Sequence, residues 1–219
     1  EIEIGNYFNF HNHSIYSSLQ ASSNIQELIN KALENNFSAV GLVDLGNMMG
    51  AFKFVSEVEK ANGNIKKKYQ EFLDKKQKAE EEGTEFEEIE PRKKELIPII
   101  GYEFYISDRP EKKQFTKDDP DRRTHIVLLA KNMKGYKNLT KLSSIGYVNG
   151  FYFGVPRISK EMISEYKEDL IALTAGTLGD IPSTILEFGE QKGEEVFKWW
   201  KESFQDDFYV QIQNHEVEE

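Results

Sequence analysis

The stretch Ala39-Val40-Gly41-Leu42-Val43-Asp44-Leu45-Gly46-Asn47 is a short apolar run that ends in a carboxylate and a glycine turn. Apolar at successive positions, it reads as a buried parallel strand that delivers Asp44 at its C-terminal end. Ahead of it, Ile25, Leu28, Ile29, Ala32 and Leu33 recur at helical spacing behind Ser22-Ser23-Asn24, a good N-cap segment, and Asn35-Asn36 closes the helix. Earlier still, Ile4, Tyr7, Phe8 and Phe10 form an apolar-aromatic run that reads as another buried strand. Strand, helix, strand with a polar residue at the strand's end is how an α/β barrel presents its chemistry.

The first run leads into Phe10-His11-Asn12-His13-Ser14-Ile15-Tyr16-Ser17. Residues two apart on a strand point the same way, so the spacing predicts that His11 and His13 project together from its end. Paired imidazoles are a common start to a metal site. Taken alone, the motif leaves open the plainer reading of two hydrogen-bonded histidines at a strand end. Two of the chain's four histidines are used here.

Downstream, Met49, Phe52, Phe54, Val55 and Val58 predict a helix. Residues 64–95 then change character: 19 of the 32 are charged, nine basic and ten acidic. This predicts a surface helical excursion broken at Gly83 and Pro91, and the interleaved acids make Lys66-Lys67-Lys68 a solvated face in preference to a nucleic-acid patch. Residues 96–106 are the strongest strand and carry Glu103 in apolar and aromatic company. A buried carboxylate requires a partner, whether a metal, an arginine or a backbone donor. A polar loop, 107–123, precedes a strand over 126–130 with His125 at its start. Helical spacing resumes through Tyr136, Leu139, Leu142 and Ile145, and again near 160–166. A strand over 170–175, an amphipathic helix with Val196, Phe197, Trp199, Trp200 and Phe204, and an alternating strand over 208–212 complete six strands. Glycine turns at Gly46-Asn47 and 176–179 could face an anion, but such turns after strands are too common to carry weight.

The composition narrows the function. The chain has 219 residues, enough for one sizeable core. It has no apolar run long enough to span a membrane, and its first residues lack the basic and apolar regions of a signal peptide. The absence of cysteine excludes a disulfide framework and thiolate-ligated zinc, and fits a cytoplasmic protein. A net charge of −10 argues against this chain being the main contact to nucleic acid.

His11-Asn12-His13 with Tyr16-Ser17 resembles the first motif of the PHP (polymerase and histidinol phosphatase) domains. The stretches 41–50, 98–105, 125–132, Gly135-Tyr136-Lys137-Asn138-Leu139, Gly150-Phe151-Tyr152 with Pro156-Arg157, and 170–175 narrow the resemblance to the N-terminal PHP domain of bacterial DNA polymerase III alpha subunits. It covers nearly the whole chain, in order. It implies a distorted seven-stranded β/α (TIM-like) barrel, which strand and helix patterns alone do not separate from an open doubly wound sheet. Residues 1–219 would form one PHP domain of a longer polymerase chain, with 64–95 a charged insertion and the seventh strand beyond Glu219.

An intact site of this family resembles a cluster of two or three metals on histidines and carboxylates, suited to phosphoester hydrolysis. The resemblance carries over His11, His13, Glu103 and His125 as ligands, vestigial or weak, and Asp44 as a neighbour that orients them. Two family ligand positions are lost, at Gln20 and at Leu45, and Gly176 stands where some members offer a donor. The expectation is a degenerate site with one weakly bound divalent metal (zinc, manganese or magnesium) or none. The fourth histidine, His215, has no strong signal, and Arg157 is expected to pair with an acid structurally. The implied parent is a DNA-directed DNA polymerase using magnesium in a palm domain outside this sequence. This domain would be a scaffold contacting the rest of that chain, a proofreading exonuclease subunit and other replisome components, with DNA bound through the parent and no membrane. The alternative is a stand-alone PHP phosphoesterase of the histidinol phosphatase kind.

Overall fold

The computed structural model describes residues 9–213. Its first helix, α1 (Ile25–Glu34), starts on a capping box: the Asn24 side chain accepts from Gln26 N, and the Glu27 carboxylate accepts from Asn24 N. Ile25, Ile29 and Ala32 form its buried face, and Asn36 turns the chain with a φ of 55° into β1 (Ala39–Leu45). The helix α2 (Ala51–Glu82) is one continuous element of 32 residues. The apolar helix and the first part of the charged excursion, residues 64–82, are thus one rod, about 48 Å long at 1.5 Å per residue. Gly83 ends it in the left-handed region at a φ of 66°, as a C-terminal glycine does.

The inner half of α2 buries Phe54, Val58 and Ile65, Phe54 and Val58 lying with the α1 face and with Val40 and Leu42 of β1. The outer half is solvated, and Lys66 pairs with Glu95 at 3.1 Å. The return segment runs back along α2: Phe72 meets Phe86, and Lys75 reaches Glu88. Its end is fastened where Asn62 bonds both the N–H and the C=O of Leu96, while Arg92 donates to Asn36 Oδ1 and Phe37 O.

The remaining strands are β2 (Ile97–Ile106), β3 (Thr124–Ala130), β4 (Arg157–Ile158), β5 (Leu170–Leu173) and β6 (Phe208–Tyr209). The sheet runs β1-β2-β3-β5-β6, with β4 paired to the end of β2. It is mixed: β1-β2, β2-β4 and β5-β6 are parallel, and β2-β3 and β3-β5 are antiparallel. The path is open among the described residues. Helices α3 (Met133–Val148), α4 (Lys160–Tyr166), α5 (Asp180–Phe188) and α6 (Glu190–Phe204) complete the fold.

Register decides what faces what. The even-numbered Tyr102, Phe104, Ile126 and Leu128 pack with Leu139, Leu142 and Trp200 from the helices. The odd-numbered Val43, Val127, Leu129 and Leu173 form a separate cluster on the other face, with Phe10 against it. Glu103 belongs to that second face, opposite Leu45 on one side and Val127 on the other.

Several sequence expectations are altered. The strand expected over the run from residue 4 to residue 10 lies mostly outside the described residues, and residues 9–12 are irregular. The Asn9 and Asn12 carbonyls accept from Gly41 N and Val43 N, so three residues on one side span two on β1, a spacing that breaks a ladder. The strand over 208–212 is regular only at Phe208–Tyr209. β4 and α5 have no expected counterpart. β4 has only two residues, and α5 carries Pro182 near its start, where a missing N–H costs a helix nothing.

The polar loop 107–123 is tied down by Lys113, which donates to Asn149 O and Phe151 O, by Arg122, which pairs with Glu187, and above all by Arg157. Arg157 is fully buried, pairs with Asp121 at 2.6 Å and donates to the carbonyls of Gly150, Pro110 and Lys112. Its guanidinium lies over the rings of Phe115 and Tyr152. The acidic partner expected for Arg157 is Asp121.

Candidate metal centre

Glu103 stands near the C-terminal end of β2 and is 5% exposed. Three histidines converge on its two oxygens. His11 Nε2 lies 2.9 Å and His13 Nε2 2.6 Å from Oε2, while His125 Nδ1 lies 2.8 Å from Oε1. His11 and His13 come from the irregular segment beside β1, so their convergence does not depend on a strand's alternation. They meet edge to face, with ring centroids 5.0 Å apart and Nε2 atoms 3.2 Å apart. His125 is the second residue of β3, two before Val127, the register partner of Glu103, and so shares its face. The Tyr105 ring closes over His125 at 4.8 Å.

Burial by itself would raise the Glu103 carboxyl pKa. The hydrogen bonds from His11, His125 and His13 outweigh it and hold the group far below the ordinary carboxylate range. Glu103 is therefore a carboxylate, able only to accept, and each histidine nitrogen facing it acts as the donor.

The arrangement fits a metal. One ligand atom from each of His11, His13 and Glu103 lies within 4.8 Å of the others. Two imidazoles and one carboxylate are a donor set that zinc and other first-row divalent ions accept. His125 stands beyond this group, on the other oxygen of the same carboxylate.

Asp44 points elsewhere. Alternation along β1 places it on the face opposite Leu45 and Glu103, where it is 2% exposed. It accepts from Ser14 N at 2.7 Å, from the Ser14 hydroxyl, and from the Ser17 hydroxyl at 2.7 Å. Any influence on the cluster passes through Ser14, the residue after His13. The space behind it is close: a Cβ on Gly50 would come within 2.8 Å of Asp44 Oδ2.

Leu45 occupies the sheet position beside Glu103. Gln20 and Leu45 both line a cleft of about 290 Å³ with Tyr16, Asn47, Tyr105 and Tyr147. Gln211, which carries no signal in the sequence, reaches His11 Nδ1 with its side-chain amide. Gly176 sits in the turn after β5, too close to the Gln213 side chain to admit a Cβ without movement. His215 lies outside the described residues. None of the helices among the described residues is long and apolar enough to cross a membrane.

The PHP domain family model matches residues 9–215. Among curated proteins the chain is similar to the DNA polymerase III subunit alpha of Borreliella burgdorferi, 35% identical over 216 residues, and to that of Aquifex aeolicus, 34% identical over 219 residues. The corresponding subunit of Chlamydia trachomatis is 33% identical over 211 residues. These matches cover 97%, 97% and 95% of the chain but only 16%, 16% and 14% of the relatives. The chain belongs to the PHP domain family and matches the N-terminal region of DNA polymerase III alpha subunits.

Proposed function

We propose that this chain is the PHP domain of a replicative DNA polymerase III alpha subunit and serves there as a structural and partner-binding scaffold around a degenerate metal site. The observation that carries this reading is Leu45 beside Glu103. An aliphatic side chain occupies the sheet position where another ligand would extend the cluster, and Gln20 offers only a neutral amide. His11, His13 and Glu103 would hold one divalent ion (zinc, manganese or magnesium), with His125 on the far oxygen of Glu103. A metal bound there would polarise a phosphoryl oxygen and acidify water. A single ion lacks the second metal that clamps both sides of a phosphoester displacement.

In this reading residues 1–219 form one domain, 64–95 are a charged insertion, and the open sheet belongs to a distorted seven-stranded barrel. The Asn9–Asn12 segment along β1, with His11 reaching toward Gln211, supports that curvature. The parent chain would carry DNA synthesis with its own magnesium and contact DNA. The domain would meet the rest of that chain, a proofreading exonuclease subunit and other replisome components in the cytoplasm.

The convergent His11, His13 and Glu103 favour one second reading, a stand-alone metal-dependent phosphoesterase. Two measurements separate them. Antibody raised to this chain should detect a native protein several times larger than 25.4 kDa. The purified chain with manganese or zinc should not hydrolyse a model phosphodiester above the level of a His11→Ala/His13→Ala variant. A native band at 25.4 kDa together with histidine-dependent hydrolysis would replace the scaffold reading with the phosphoesterase.

A further inference from the structure

We propose that Gln211 is a positioning residue for the metal centre: its amide fixes the plane of the His11 ring so that Nε2 faces Glu103 and His13. This rests on reading that cluster as a metal site. The His11 side chain is 9% exposed, and its two ring nitrogens have different neighbours. Nε2 faces Glu103 and His13, while Nδ1 faces Gln211, 200 residues away in sequence. Gln211 is itself held from behind. Its backbone N–H donates to Thr174 Oγ1 at 2.9 Å, and Thr174 N donates to Tyr209 O, so the end of β5 sets where residue 211 lies.

The amide chemistry suits the task. Gln211 Oε1 lies 3.1 Å and Nε2 3.0 Å from His11 Nδ1, so the amide meets the ring with either a donor or an acceptor by turning over. Without metal, His11 Nε2–H donates to the Glu103 carboxylate, and in the neutral ring Nδ1 accepts from the amide N–H. A metal requires the Nε2 lone pair, which moves the ring proton to Nδ1, where the amide oxygen accepts it. Metal-binding imidazoles commonly need such an outer hydrogen bond to fix tautomer and orientation. Glutamine serves both states, whereas a carboxylate can only accept.

The test compares the chain with Gln211→Leu and Gln211→Glu by zinc titration and by nitrogen NMR of labelled histidines. Zinc binding should weaken about 10- to 100-fold in Gln211→Leu, and Gln211→Glu, which still accepts from Nδ1–H, should restore it. Equal affinity in the chain and Gln211→Leu would overturn the inference while leaving the metal site standing. If the unaltered chain binds no zinc, the metal-site reading fails, and NMR decides the rest. Because Glu103 keeps His11 Nε2 protonated in either case, the readout is the Nε2–H signal: broadening or splitting of it in Gln211→Leu, as the ring leaves its plane, supports the positioning role, and a signal unchanged by the substitution overturns it.

Discussion

Leu45 and Glu103 are register partners across the β1-β2 pairing and share one face of the sheet. The carboxylate meets His125 from the β3 side and His11 and His13 from beyond β1, the side on which Leu45 adds an aliphatic side chain. A histidine in place of Leu45 would project from the same point toward the same carboxylate. The Leu45→His variant should therefore bind zinc at least about tenfold more tightly, about 1.4 kcal/mol. Calorimetric titration checks this. Unchanged affinity would mean that the position does not open onto the cluster.

Glu103 links the centre to stability. Its carboxyl is held below the ordinary value of 4.5 in the folded chain, because three histidine hydrogen bonds override the effect of burial. A depressed carboxyl contributes its full stabilisation above its unfolded pKa and loses it as pH falls through the folded value. The metal-free chain should lose stability progressively below about pH 4.5. Glu103→Gln keeps the shape but removes the charge, and should cost about 2–4 kcal/mol at neutral pH. Part of the acid dependence should vanish with it. Urea unfolding from pH 3 to pH 7 would show this as converging curves, and parallel curves would assign the acid sensitivity to other groups.

How legible the centre was in the sequence depends on the residue. His11, His13, Glu103 and His125 could be named from their motifs, and they do converge, the first two from an irregular segment. Two backbone hydrogen bonds to β1 set that segment's path, and periodicity carries no trace of them. Asp44 was legible as a buried polar residue at a strand end. Its direction follows from the period of two once the β1-β2 register is known. Gln211 was illegible, because a glutamine in an alternating run has no signal of its own and meets His11 only through a contact 200 residues apart in sequence. Among the elements, α1 was readable from its cap. The charged run of α2 concealed its continuity with the apolar half, since its anchors, Ile65, Phe72 and Ala79, are few and widely spaced among charged residues.

Arg157 offers a test of how the polar loop is held. It is fully buried, and its charge is matched by Asp121 while three carbonyls accept three of its other N–H donors. Lysine would keep the charge but cannot reproduce the planar fork, nor its stacking over Phe115 and Tyr152. Arg157→Lys should destabilise the chain by about 2–4 kcal/mol, because buried carbonyls lose their donors. Asp121→Asn should cost less, since the three carbonyl bonds survive. Cutting should concentrate in residues 107–123, and limited proteolysis would locate it. Uniform sensitivity along the chain would show that Arg157 supports the core as a whole and not this loop in particular.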